Sequence, residues 1–213
     1  MTLPLLKFFK MTRKLSSIER CSNTIHIKRQ SVSDHSYYVA LYAMVFSDLE
    51  NSRKMEKIAK QEFEWTEDEM RKELYDTSEV IKKALIHDLE ETLTGDILFP
   101  IKIDPFLGPP LRTIIKDIVD ADLFNNISDS TTRKYYIRLW HTSKDNSKEG
   151  LMVAAMDKFE ILLYALSELS LGNKQFIDIF STALNILIKD FSHIQTLQEL
   201  LPLIKEEVVK LIE

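Results

Sequence analysis

The sequence predicts an all-α, single-domain helical bundle with a metal site at its centre. Apolar residues recur at steps of three and four along most of the chain, and no stretch shows sustained period-two alternation. Only four glycines and six prolines are spread over 213 residues, too few for a β-sandwich with its many tight turns. His35, the pair His87-Asp88, and Asp157 lie in otherwise apolar helical segments. A polar or ionised group on a core-facing surface needs a partner, and one divalent cation serves all four.

Taken in order, residues 3–19 form a first helix, and residues 20–34 are polar and irregular, with Arg20, Lys28 and Arg29. Ser33 or Asp34 caps a helix that begins near His35 and carries Val39, Tyr42, Phe46 and Leu49 on one face. Residues 51–77 are dense in both charge signs, with Phe63 and Trp65 between Glu62 and Lys72. They read as a charged helical insertion with solvated faces; the sharper alternative is a lid or partner surface using Trp65.

Thr77 or Ser78 caps the next helix, and Glu79 suits its first turn. Val80, Ala84, His87, Asp88 and Glu91 share one face of that helix, which runs to Glu91. Thr94-Gly95-Asp96 and Pro100 then make a loop, and residues 105–110 a second irregular piece. Helices follow at 111–124, 131–141, 148–171, 174–191 and 196–212, with Gly172-Asn173 as a helix stop. The whole chain, 1–213, is one domain, with 174–213 as C-terminal helices and no internal repeat.

A net charge of -5 gives no basic footprint for a nucleic-acid polymer, although a few local cations suffice for a small anion. The single Cys21 excludes an internal disulfide and is compatible with a reducing, cytoplasmic setting. Nothing distinguishes it as a nucleophile. Lys7 and Lys10 interrupt the apolar residues 3–10, which are too few for a membrane span and read as a core or dimer-facing helix.

Imidazole and carboxylate together suit Co, Mn, Zn, Fe or Ni better than Ca, with Mg also possible. Glu91 lies one turn beyond His87 and Asp88. It is placed either to orient and deprotonate water beside the metal or to hold His87 in position. Glu90 points off that face and reads as solvated. His26, His141 and His193 read as surface or core residues.

The ordered set His35, His87-Asp88 and Asp157 resembles the HD-domain phosphohydrolases, whose metal is held by H…HD…D. Three stretches bring it closest to the bacterial 5′-deoxynucleotidase subfamily. They are Ser31-Val32-Ser33-Asp34-His35-Ser36, then His87-Asp88 through Glu91 to Leu93-Thr94-Gly95-Asp96, and Asp157 with Glu168 and Gly172-Asn173. The resemblance implies an HD-domain helical bundle, one divalent metal, a deoxynucleotide substrate and a homodimer. It places Arg20 and Lys102 at phosphate-contacting positions and Asp96 beside the sugar. The family usually has Trp where this chain has Cys21, which opens the base preference.

The activity implied is removal of the 5′-phosphate from 2′-deoxynucleoside 5′-monophosphates. Two alternatives compete with it. One is a triphosphohydrolase taking, for example, dATP to deoxyadenosine and triphosphate, with Lys82, Lys83, Lys28 or Arg29 serving the longer phosphate chain. The other is a catalytically inactive nucleotide-binding module.

Overall fold

A computed structural model describes residues 2–60 and 65–212. Among these the regular elements are all helices, and the only β pairing is an isolated bridge between Glu19 and Ser31. α1 (Thr2–Thr12) continues through a 3-10 turn, Arg13–Ser17. The long α2 (Val32–Ala59) follows the irregular 20s. After it come α3 (Glu67–Glu73), α4 (Thr77–Ile86), and the short α5 (Glu91–Thr94) and α6 (Phe99–Ile103). The remaining helices are α7 (Gly108–Ile118), α8 (Ser130–His141), α9 (Lys148–Ser170), α10 (Ile177–Asp190) and α11 (Gln195–Ile212).

α2, α4 and α9 pack against one another at the centre, and α10 and α11 cover the far side of α9. Val39, Ala43 and Phe46 of α2 meet Val80 and Ala84 of α4 and Met152, Val153 and Met156 of α9 in one buried core. A second, smaller core gathers Leu15, Val32, Leu89, Val119, Phe124 and Trp140 under the N-terminal turn. The polar residues His35, His87, Asp88 and Asp157 emerge from this packing at its centre. No helix among the described residues is long and apolar enough to cross a membrane.

Four local expectations are corrected. The cap of α2 is Ser31, not Ser33 or Asp34. Its hydroxyl accepts from Asp34 N at 3.1 Å while the Asp34 carboxylate accepts from Ser31 N at 3.1 Å, the reciprocal pairing of a capping box. Asp76, rather than Thr77 or Ser78, caps α4 by accepting from Glu79 N at 3.0 Å; the Thr77 hydroxyl instead donates to Asp48. Pro100 does not prevent helix: it stands in the first turn of α6, where a missing N–H costs nothing. Pro109 and Pro110 similarly open α7, so that helix begins three residues early.

The helix carrying His87 also does not run unbroken to Glu91. α4 ends at Ile86, and Leu89, Glu91 and Thr92 donate to the carbonyls three residues back. That tightening brings positions i and i+3 into register, which stacks Asp88 and Glu91 on one side. Gly95, at φ 71°, then turns the chain away from the site.

α3 is tied back to the body. Lys148 donates to the carbonyls of Arg71, Lys72 and Leu74, at the helix C-terminus where a cation is favoured. Glu62 and Phe63 of the charged stretch lie outside the described residues. Lys83, a candidate for a long phosphate chain, is buried and committed to Asp145 at 3.3 Å and the Ser147 hydroxyl at 3.0 Å. It fixes α4 to the start of α9, and so sets His87 relative to Asp157.

Glu50 of α2 is buried, and its Oε1 accepts from both Thr196 N (2.7 Å) and the Thr196 hydroxyl (2.6 Å) at the start of α11. Glu50→Ala strands those donors and is expected to cost about 1–3 kcal/mol. Urea unfolding should show a lowered midpoint with an unchanged slope, and an unchanged midpoint would make this cap energetically idle.

Candidate metal centre and active-site cleft

His35 is the hub of the site. It is 0% exposed, one turn into α2. Its Nε2 lies 3.3 Å from His87 Nε2, 3.5 Å from Asp88 Oδ2 and 3.2 Å from Asp157 Oδ1. His87 Nε2 is in turn 3.0 Å from Asp88 Oδ2. Donor atoms of His35, His87 and Asp88 all lie within 4.8 Å of one another, and Asp157 joins them through His35. The four residues expected from the sequence are thus brought together.

The ring tautomers are set from outside the cluster. His35 Nδ1 donates to the Glu160 carboxylate, whose other oxygen accepts from Gln30. His87 Nδ1 donates to the Ala84 carbonyl at 2.7 Å. With both Nδ1 protons so used, the Nε2 lone pairs face each other, and only a proton or a cation between them relieves the repulsion. Two imidazole nitrogens and two carboxylates oriented in this way fit a divalent cation, and partners fixing the distal ring nitrogen are the usual support of such ligands.

The acid-base balance agrees. Burial and Arg20 disfavour protonation of His35, but Glu160, Asp157 and Asp88 outweigh them and push its pKa up to about 9. His87 is shifted down, chiefly by burial. Burial works against ionised Asp88 and Asp157, yet His87 and Lys144 for the first, and Lys144 and Lys158 for the second, hold both well below the ordinary carboxylate range. Asp88 and Asp157 therefore stay ionised, as ligands of a cation must be.

Beside the cluster opens a cleft of about 230 Å³, lined by Glu90, Glu91, Lys102, Arg112, Trp140 and Lys144 among others. Glu91 is buried; its Oε1 accepts from Lys102 Nζ at 2.9 Å, and its Oε2 has no hydrogen-bond partner among the described residues. Burial and Asp88 push its pKa up to about 8, near the range where a carboxylate exchanges protons at neutral pH. Glu90 corrects an expectation. It is not solvated: it accepts from Trp140 Nε1 at 3.0 Å, and burial pushes it up to about 7.

The residues that the resemblance placed around the substrate are also near. Arg20 reaches Asp88 Oδ2 at 3.4 Å and is held protonated against burial by Asp88, Asp157, Glu160 and Glu91. Asp96 accepts from the backbone N–H of Cys21 at 3.0 Å, tying the two loops together. Cys21 stands in the left-handed region at φ 51°. Burial pushes its thiol up to about 11, away from the reactive thiolate.

Sequence reasoning missed Glu160 and Lys144. Glu160 follows Asp157 at i+3 on α9, a spacing that marks a shared face. Lys144 approaches Asp157 Oδ2 at 2.8 Å and Asp88 Oδ1 at 3.4 Å from a loop, where no local pattern announces it. His26 packs on Glu19 and His141 on Asp120, outside the cluster.

The chain matches the family model described as "5′-deoxynucleotidase YfbR-like" over residues 7–200. It is 32% identical over 163 residues to a curated 5′-deoxynucleotidase HDDC2 of Dictyostelium discoideum, covering 75% of each chain. To a 5′-deoxynucleotidase of Enterobacter sp. (strain 638) it is 25% identical over 170 residues, covering 80% of this chain and 76% of that one. Among solved structures, an HD-domain phosphohydrolase from Listeria innocua superposes with a TM-score of 0.63 at 24% identity, over 96% of this chain and 98% of that one. A Pyrococcus horikoshii protein gives 0.71 at 18% identity, over 95% and 99%; these two likenesses bear on the fold. With the ordered His/His-Asp/Asp cluster assembled in an HD-type bundle, and the family model matched over nearly its whole length, the chain belongs to the YfbR-like 5′-deoxynucleotidase family.

Proposed function

We propose that this chain is a metal-dependent phosphohydrolase that removes the 5′-phosphate from 2′-deoxynucleoside 5′-monophosphates. The observation that carries this reading is the convergence of His35, His87, Asp88 and Asp157 beside the buried, half-unpartnered carboxylate of Glu91. The curated relatives with 5′-deoxynucleotidase names support it. Triphosphate release and a catalytically inactive module are not favoured by them, and Lys83, one cation a longer chain would use, is spent inside the core.

His35, His87, Asp88 and Asp157 would hold one divalent ion, of the Co, Mn, Zn, Fe, Ni or Mg group. When bound, such an ion supplies Lewis acidity, making water more acidic and offsetting charge on phosphoryl oxygens. The remaining work falls to the chain. Glu91 Oε2 orients the attacking water and takes its proton as the new P–O bond forms and the bond to the 5′-oxygen breaks. The same proton then goes to the departing 5′-oxygen. Arg20 offers a planar fork to phosphate oxygens and Lys102 a point charge. Asp96 contacts the sugar through its 3′-hydroxyl and leaves no partner for a 2′-hydroxyl. Cys21, at the position where the resemblance implies Trp, leaves room beside sugar or base. The exposed Leu3, Leu6 and Phe9 of α1 support a homodimer, and the lone free Cys21 a cytoplasmic setting.

Three variants test this reading. Asp157→Ala should lose most bound metal, measured by elemental analysis, together with phosphate release, while the helical circular dichroism persists. Full activity without added metal would sink the mechanism. Glu91→Ala should retain metal but turn over about 10²–10⁴-fold more slowly; loss of metal along with turnover would make Glu91 a structural partner instead.

Asp96→Ala is judged by kcat/KM on dAMP and AMP. A site that pairs one hydroxyl discriminates against a mispaired analogue because buried polar groups are left unmatched. The variant should therefore narrow the deoxy-over-ribo preference as well as lower activity. If the ratio holds while stability drops, Asp96 serves only to anchor Cys21.

A further inference from the structure

The proposed chemistry leaves a charge problem. A phosphomonoester dianion must approach the ionised Asp88 and Asp157 and the buried Glu91, of which Asp88 and Glu91 line the cleft. The two cations assigned to it are partly spent. Lys102 pairs with Glu91 Oε1 at 2.9 Å, and Arg20 is turned to Asp88 Oδ2 at 3.4 Å.

Lys144 is a third cation at the same place. It stands in the loop between α8 and α9 and lines the cleft together with Glu91 and Lys102. The oxygens it uses are the decisive detail. Asp88 and Asp157 present Oδ2 and Oδ1, respectively, to His35 Nε2, and they present the other oxygen of each, Oδ1 and Oδ2, to Lys144 Nζ. Lys144 and the histidine cluster therefore occupy opposite sides of the same carboxylates and do not compete for an oxygen. An ammonium has three donors, so two acceptors leave one N–H. The side chain is 32% exposed. Lys158 also touches Asp157, at 3.3 Å, but its ammonium lies over the Phe99 ring and it does not line the cleft.

We infer that Lys144 is a phosphate-binding residue of this site, donating its remaining N–H to a phosphoryl oxygen of the substrate. The inference rests on the phosphomonoesterase reading and adds to it a residue from outside the HD-type pattern. Its place on a loop rather than on α4 or α9 gives the ammonium a direct route into the cleft.

The test uses the full chain loaded with Mn²⁺ and inorganic phosphate as the probe, followed by calorimetry, with Lys144→Met, Lys144→Gln and Lys144→Arg. Removing a charge-assisted donor should weaken phosphate binding in the Met and Gln variants by about 10- to 100-fold. Mn²⁺ affinity should be no weaker than wild type, because a like charge has been removed from beside the ion. KM for a deoxynucleoside monophosphate should rise in parallel with the phosphate constant, kcat should fall less, and Lys144→Arg should stay within a few-fold of wild type. Unchanged phosphate affinity in both neutral variants overturns the inference. Loss of Mn²⁺ binding with KM unchanged also overturns it, and would make Lys144 a holder of the two carboxylates. If wild type binds phosphate but hydrolyses no deoxynucleotide, the phosphomonoesterase reading falls, while the phosphate titration still decides Lys144.

Discussion

The hydrogen bond from His35 Nδ1 to Glu160 is the interaction on which the site depends. It ties the first turn of α2 to the middle of α9 at full burial. It also decides which ring nitrogen is left for the cluster: with Nδ1 donating, only Nε2 remains, and that atom lies 3.2–3.5 Å from His87, Asp88 and Asp157. Gln30 holds the second oxygen of Glu160, so the carboxylate that orients the histidine is itself fixed. Positioning is therefore handed from Gln30 to Glu160, to His35 and then to the remaining donors.

The second determinant is the tight turn after α4. A regular helix through Glu91, turning 100° per residue, would set Asp88 and Glu91 about 60° apart around its axis. Bonds to the third residue back compress the segment, and the carboxylates of Asp88 and Glu91 come to line one cleft. Gly95 then makes the sharp departure that carries Asp96 across to the backbone of Cys21. The 20s loop, the turn after α4 and α9 thus meet around one small volume, although they are distant in sequence.

Burial on this scale is tolerable only because charges are interleaved. Isolated carboxylates taken out of water lose several kcal/mol each or become protonated. Arg20, Lys102, Lys144 and Lys158 are spaced through the group, with Lys144 and Lys158 sharing Asp157 Oδ2. Asp88 and Asp157, each paired with both a histidine and a cation, are held ionised, whereas burial and the Asp88 charge push Glu90 and Glu91 toward neutral pH. One segment of chain thereby presents charge-holding and proton-exchanging carboxylates side by side.

The sequence by itself determined the helical class, the order of the long helices and the four clustered residues. Apolar periodicity records which face is buried, and a His or Asp on such a face is conspicuous because it needs a partner. Helix ends were less legible. Several short polar residues competed for each cap, and Ser31 and Asp76 prevailed through hydrogen bonds that depend on backbone angles. Prolines 100 and 109 looked like breakers because composition does not say whether a proline opens a helix or interrupts one. What only the tertiary structure decided is the environment of each group. It set Glu90 under Trp140, Lys83 in the core, and Lys144 across two carboxylates, one of them 56 positions away in the chain. Those contacts arise from the packing of distant helices, and local spacing carries no trace of them.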